Sequence, residues 1–283
     1  MSSKPARGRT STPSTAFCAI TLIRRTTNIN RDMSGTTAPA PQSPDFDQTL
    51  WANSSFSQEY RDNADHYIQD RHELFRLLKS FYRAFAKKTH GTRVCDLGCG
   101  DGVLCQQLLQ EDPSIEATLV DGSPQMLSAA RTRLVDFPRI HTRQQSFEEW
   151  MQSSTDLDPF DFIVSSFAIH HLHLPDKARL FQSIADHLRE GGWFLNIDTV
   201  FSDEPVFTDW YYQAWQEWVN ERDVKLRLKG AFRTIARKAR LNPDNKLSPL
   251  EVQLEALRAA GFHKVECHYK NGLFVIYAGQ KQG

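Results

Sequence analysis

Apolar and polar positions follow two different rhythms along this 283-residue chain, and the change from one to the other defines its elements. From Asp47 to Lys88 the residues Phe56, Tyr60, Tyr67, Leu74, Leu77, Leu78, Phe81, Tyr82 and Phe85 recur at helical spacing. From Arg93 onward, short apolar runs alternate with helical segments, as in a doubly wound parallel sheet. Strands are predicted near 93–97, 117–121, 139–143, 161–166 and 193–198, with helices near 102–111, 124–135, 147–152 and 175–190 between them. Ser123-Pro124 reads as an N-cap followed by proline at the first helical position, and Gly191-Gly192 as the stop of the fourth helix. Two helical segments then follow, near 204–220 and 222–240. Ser248-Pro249-Leu250-Glu251 reads as a capping box opening a helix that Gly261 ends. A hairpin, 264–270 and 273–279, turned at Asn271-Gly272, closes the chain.

The densest chemical signal lies between the first two strands. Asp96 ends an apolar run, and Gly98, Gly100 and Gly102 alternate directly behind it. Glycines at that spacing let the backbone turn sharply and approach a ligand, because a Cβ would collide with it. The second apolar run ends in Asp121, where a carboxylate can accept from the hydroxyls of a ribose. An adenosine-containing cofactor is therefore expected. A dinucleotide fingerprint would need glycine where Val103 stands, and a P-loop would need a Gly-Lys-Ser/Thr ending that the chain lacks. S-adenosylmethionine, cationic and free of phosphate, suits the acid of the loop.

Four ordered segments carry a resemblance. They are Asp96 to Gly102, Val120 to Leu127, Phe160 to Leu172 with its His170-His171-Leu172 ending, and Leu188 to Asn196. Together they resemble class I S-adenosylmethionine-dependent methyltransferases of the small-molecule type. That resemblance implies an α/β fold: a doubly wound, seven-stranded, Rossmann-like sheet with N-terminal helices and a helical insertion after strand five. It implies cofactor contacts at Asp96, Gly98, Gly100, Asp121, Gly122, Met126, Ser146, Phe147 and Ser166, with Asp96 reaching the methionine ammonium through water. Met126 would pack on adenine, and a thioether suits that role. The third strand departs from the family pattern: Gln145-Ser146-Phe147 stands where an acid often receives the adenine amine, so Ser146 or a backbone amide takes over. His170 and His171, at the methyl end, are the candidate base or acceptor clamp. A base is needed only if the acceptor must lose a proton.

Contacts to the cofactor or the acceptor are expected from Tyr60, Tyr67 and Arg71, the last two foremost as acceptor contacts, and acceptor contacts also from Trp210, Tyr211 and Trp215 in a helical cap over 203–247. Phe207 and Trp218 belong to the same aromatic stripe. The segment after it is basic, from Arg222 to Arg240, which is a solvated helix face or a surface for an anionic acceptor, RNA or lipid headgroups.

Charge and cysteine usage narrow the class. The formal net charge is zero, but the first 32 residues carry Lys4, Arg7, Arg9, Arg24, Arg25 and Arg31 against Asp32 alone, which leaves a mildly acidic remainder. That is not the footprint of a general nucleic-acid binder. Residues 1–46 are expected to lack a fixed fold, either as a disordered tail, as sequence preceding a start at Met33, or as a transit-peptide-like leader. Residues 47–283 form the methyltransferase domain. Cys18, Cys95, Cys99, Cys105 and Cys267 do not show zinc-site spacing, no metal is expected, and free thiols suit a cytoplasmic setting. No apolar run is long enough to span a bilayer. The leading expectation is transfer of a methyl group to O, N, S or C of a small-molecule acceptor. The alternatives are a tRNA-modifying enzyme, either an RNA methyltransferase or a carboxy-S-adenosylmethionine synthase-like one, and a cofactor-binding protein without catalysis.

Overall fold

The computed structural model describes residues 46–153 and 158–283. The basic N-terminal stretch, Met33 and Cys18 lie outside the described residues, as does the side chain of Tyr60. Seven strands form one sheet: β1 (Arg93–Leu97), β2 (Glu116–Asp121), β3 (Ile140–Gln144), β4 (Phe160–Ser166), β5 (Leu188–Thr199), β6 (Phe262–Asn271) and β7 (Phe274–Lys281). Their order is β3-β2-β1-β4-β5-β7-β6, with β1 to β5 parallel and β7 entering antiparallel between β5 and β6. This is the doubly wound sheet the alternation predicts.

The central strands are buried on both faces, and successive side chains divide between two cores. Val94, Leu119, Phe162, Leu195 and Ile276 face one core, while Cys95, Val120, Ile163, Phe194 and Val275 face the other. The first core is covered by α1 (Ser54–Tyr67), α2 (Arg71–Phe81), α3 (Val103–Glu111) and α4 (Pro124–Arg133), together with the cap helices α7 (Pro205–Leu226) and α8 (Ile235–Leu241). The second is covered by α5 (Phe147–Gln152), α6 (Leu174–His187) and α9 (Leu250–Ala259). Strand order reverses between β1 and β4. Their carboxyl ends therefore open a crevice at the switch point, where ligands bind in sheets of this kind.

Four local expectations are corrected. The helix after β4 ends at His187 and not at Gly191-Gly192, because Leu188 already pairs with Phe160 and the glycines sit in an irregularity of β5. The cap contains one helix of 22 residues, a turn and a short helix, and not two equal segments. Ser248 does not cap α9; its hydroxyl accepts from Lys177 instead, and Pro249 takes the N-cap position. The hairpin turns at Gly272-Leu273, one residue later than predicted, with Gly272 at φ 56° supplying the left-handed position. Among the described residues no helix is long and apolar enough to cross a membrane.

Candidate active site

β1 delivers the chain into the glycine loop, and β2 holds the loop there. Gly98 and Cys99 amides donate to the Val120 carbonyl at 2.8 and 3.0 Å. Gly98, Gly100 and Gly102 all have positive φ, at 72°, 53° and 75°. A Cβ on Gly98 would lie 2.6 Å from the Ala168 Cβ, whereas one on Gly100 would meet nothing within 4 Å. Gly98 is thus required by packing, and Gly100 leaves open space in the crevice. The Asp121 carboxylate accepts from the amides of Gly100 and Ser123, both at 2.8 Å. Burial, against those two amides, pushes its pKa up to about 6. Arg133 on α4 fixes the loop from outside by donating to the Asp101 carbonyl at 3.0 Å and pairing with the Asp101 carboxylate.

Asp96 is fully buried and does not line the crevice, so the contact with a ligand ammonium expected of it would run through water. Burial pushes its pKa up to about 8, opposed by the Cys105 amide and reinforced by the charges of Asp121 and Asp101. The sign follows from linkage. The folded protein holds this proton more tightly than the unfolded chain, so the stability Asp96 contributes is complete below about pH 4 and is lost as pH rises towards 8. Asp96→Asn, which cannot ionise, should therefore gain on the wild type in thermal melts of the ligand-free protein as pH rises over that window. A melting difference that does not vary with pH would contradict this assignment.

The remaining walls of the crevice come from several elements. Met126 and Gly122 follow β2, Gln145, Ser146 and Phe147 follow β3, and Ser166, Phe167 and Ala168 follow β4. Phe46 and Thr49 belong to a strap, 46–52, made of two short 3-10 turns. Phe46 packs so closely that a Cβ on Gly122 would lie 2.7 Å from its ring. The Ser146 hydroxyl accepts from the Glu149 amide in a capping box that opens α5, so it is committed to the helix. Gln145 Oε1, by contrast, is buried, lines this crevice and has no partner among the described residues. Arg71 lies here, on the cofactor side of the two alternatives; it pairs with Asp65 at 2.5 Å and stacks over Phe75, with its Nε unpartnered among the described residues.

A second cavity of about 610 Å³ adjoins the first, and Phe167 and His171 line both. Phe167 stands at that boundary with φ 50°, a left-handed conformation unusual for an aromatic residue. Tyr67, Tyr212, Trp215, Phe232 and Phe274 supply aromatic walls, and Trp215 Nε1 donates to the Tyr67 carbonyl at 2.7 Å. Trp210 and Tyr211, expected here, are absent from the lining. Trp210 is exposed, and Tyr211 packs beside Gly272 under the Lys270 ammonium. The reason is helical geometry: Tyr212 and Trp215 share the inward face of α7, and Trp210 is about 200° away from Tyr212.

His170 and His171 form a 3-10 turn after β4, with ring centroids 4.0 Å apart, yet their environments differ. His171 Nδ1 lies 3.1 Å from the Asp244 carbonyl, and burial together with the neighbouring His170 holds its pKa well below the usual range. His170 lines the second cavity, and its Nδ1 lies 2.5 Å from Asp198 Oδ1. The carboxylate accepts the Nδ1 proton, so Nε2 carries the lone pair. Asp198, 1% exposed, is fixed further by the Thr199 amide at 2.9 Å and Asn196 Nδ2 at 3.3 Å. A histidine backed by a buried carboxylate at the floor of a cavity can accept a proton from a bound hydroxyl, amine or thiol.

Sequence reasoning missed Asp198, Gln145, Phe46 and Phe167. Only Asp198 left a signal, as an acid at the carboxyl end of the largely apolar run 193–197.

A sheet in this order, with a reversed seventh strand, a glycine loop at the switch point and an acid closing the second strand, defines a Rossmann-like methyltransferase. A family model described as a methyltransferase domain matches residues 94–192. The chain is 29% identical over 167 residues to an uncharacterized methyltransferase of Staphylococcus carnosus (strain TM300), covering 59% of this chain and 68% of that one. It is 33% identical over 99 residues to a trans-aconitate 2-methyltransferase of Azoarcus sp. (strain BH72), covering 35% of this chain and 36% of that one. The structure of an O-methyltransferase family protein from Burkholderia thailandensis matches with a TM-score of 0.57 at 15% identity, a likeness of fold. That match covers 82% of this chain and 62% of the other, so the chain spans under two thirds of that protein's length. Residues 94–192 thus match a methyltransferase domain, and the relatives and the fold together support a class I S-adenosylmethionine-dependent methyltransferase.

Proposed function

We propose that this enzyme transfers the methyl group of S-adenosylmethionine to an atom that gives up a proton, on a small-molecule acceptor seated in the second cavity. The observation that carries this reading is the His170–Asp198 pair on the floor of an aromatic cavity that meets the crevice at Phe167.

The crevice fits the donor. Asp121 would hold the ribose, Gly98 and Gly100 would admit the methionine portion, and Gly122 and Ser166 line its path. Met126 and Phe147 would pack on the adenine, and the unpartnered Gln145 Oε1 is the atom able to receive its amine. The Arg71 guanidinium suits a carboxylate at the opposite end. The donor, when bound, supplies a methyl group already activated by a sulfonium leaving group. The protein's part is alignment, exclusion of water and removal of the acceptor's proton by His170 Nε2. His171, held neutral and tied to the Asp244 carbonyl, shapes the wall where the two cavities meet.

The test uses donor labelled on its methyl group, incubated with the enzyme and a cell extract that is then separated into small-molecule, lipid and RNA fractions. Label in a small molecule is the expected result and identifies the acceptor by mass. Label confined to RNA would overturn the reading and favour the tRNA-modifying alternative.

A further inference from the structure

Behind His170 the side chains close a ring that the methyl transfer as described does not use. From Asp198 it runs to Asn196 Nδ2, which donates to Asp198 Oδ2 at 3.3 Å and to the Tyr277 hydroxyl at 2.8 Å. Tyr277 donates to Gln253 Oε1 at 2.9 Å, and Gln253 Nε2 donates to the Ser248 carbonyl at 3.0 Å. Lys177 Nζ reaches the Ser248 hydroxyl at 3.0 Å and the Lys246 carbonyl at 2.7 Å. The Lys246 amide donates to the His170 carbonyl at 2.7 Å, which returns the ring to its start. Lys177, on α6, is 0% exposed.

That lysine is an anomaly on stability grounds. Taking an ammonium out of water is costly, and its two hydrogen-bond acceptors here, a carbonyl and a hydroxyl, are both neutral. The charge that favours it is Asp198, which lies within electrostatic reach and is the carboxylate His170 leans on. The sequence pattern bears this out, since Ser248 has left its helix-capping position to serve the ammonium.

We propose that Lys177 is a positioning residue for the methyl transfer, the buried counter-cation of Asp198 that fixes the charge and the orientation of the pair facing the acceptor. This rests on the proposed role of His170. Burial pushes the Lys177 pKa down to about 8, against the attraction of Asp198, so the counter-cation is lost within an accessible pH range. Other charged and titratable groups surround it. Asp176, its neighbour on α6, is paired with Arg179, and His173 caps the same helix. His170 and His171 lie in the turn, Tyr277 on β7 adjoins Asp198, and Asp244 and Lys246 belong to the loop beside it.

The first readout needs no acceptor. In ¹³C-histidine-labelled enzyme, the His170 ring signals should show an inflection near pH 8 that is absent from K177R and from K177M. The second is the pH dependence of methyl transfer to the labelled small-molecule fraction. The wild type should lose activity above pH 8. K177R should retain transfer at pH 7 and move that alkaline limb upward by more than about one pH unit, because arginine keeps its proton. K177M should be slow and lack the limb. Where arginine prevents folding, judged by circular dichroism, K177M alone decides the histidine titration. An inflection and limb unchanged in a folded variant would overturn the proposal. If H170A transfers methyl groups as well as the wild type, the role of His170 fails instead, and the Lys177-dependent inflection can still be present or absent on its own.

Discussion

Replacing His170 with alanine is expected to lower kcat by about 100- to 10,000-fold, the range for loss of a positioned base. S-adenosylhomocysteine should bind that variant as it binds the wild type. His170 lines the acceptor cavity and not the cofactor crevice, and its Nδ1 is committed to Asp198 at 2.5 Å. Asp198→Asn should fall between the two, because an amide can present its N–H to Nδ1 and turn the proton onto Nε2, where the lone pair is needed. Single-turnover transfer and calorimetric binding, read side by side, separate chemistry from binding. Equal losses of binding and rate would place His170 in cofactor binding instead.

Gly98→Ala should be the most damaging single change in the crevice. The new methyl would sit 2.6 Å from the Ala168 Cβ and 3.2 Å from the Phe147 Cζ, and φ is 72°. The left-handed conformation alone costs an L-residue about 1–2 kcal/mol. The steric conflict would push the β1 loop away from the β4 loop, which carries Ser166, Phe167 and Ala168 into the same crevice. Loss of S-adenosylhomocysteine binding by at least tenfold, with a lower melting temperature, is the expected outcome. Gly100→Ala separates the two effects. Its methyl meets no protein atom within 4 Å, so beyond the cost of its own left-handed φ of 53° it should add no steric conflict while occupying space the ligand needs. If both variants bind normally, the loop is not the cofactor seat.

The core strands and the glycine loop were readable from residues because each signal is local. β1, β2 and β4 are short apolar runs buried on both faces, and the positive φ values of the loop favour glycine. The parts that were not readable depend on neighbours distant in sequence. Asp198 gains its meaning from His170, 28 residues earlier, and a single acid in a strand does not announce a partner. Ser248 carries a strong capping signature, but Lys177, 71 residues away, draws its hydroxyl elsewhere. The proposed adenine contact passes from Ser146, whose hydroxyl the capping box on α5 engages, to its neighbour Gln145, and that box is seen only once the helix is placed. On α7 the aromatic residues are dense enough that spacing alone does not choose the inward face. Contact with Tyr67 and Phe274 selects Trp215, and Trp210 is left in solvent.

A donor in the crevice and an acceptor in the adjoining aromatic cavity, meeting at Phe167 and His171, make up the proposed division of labour. Ala239→Trp separates the two, because Ala239 on α8 lines the cavity and takes no part in the crevice. This variant should bind S-adenosylhomocysteine with unchanged affinity and transfer no label to the small-molecule acceptor. Undiminished transfer, or a parallel loss of S-adenosylhomocysteine binding in a folded protein, would overturn that division.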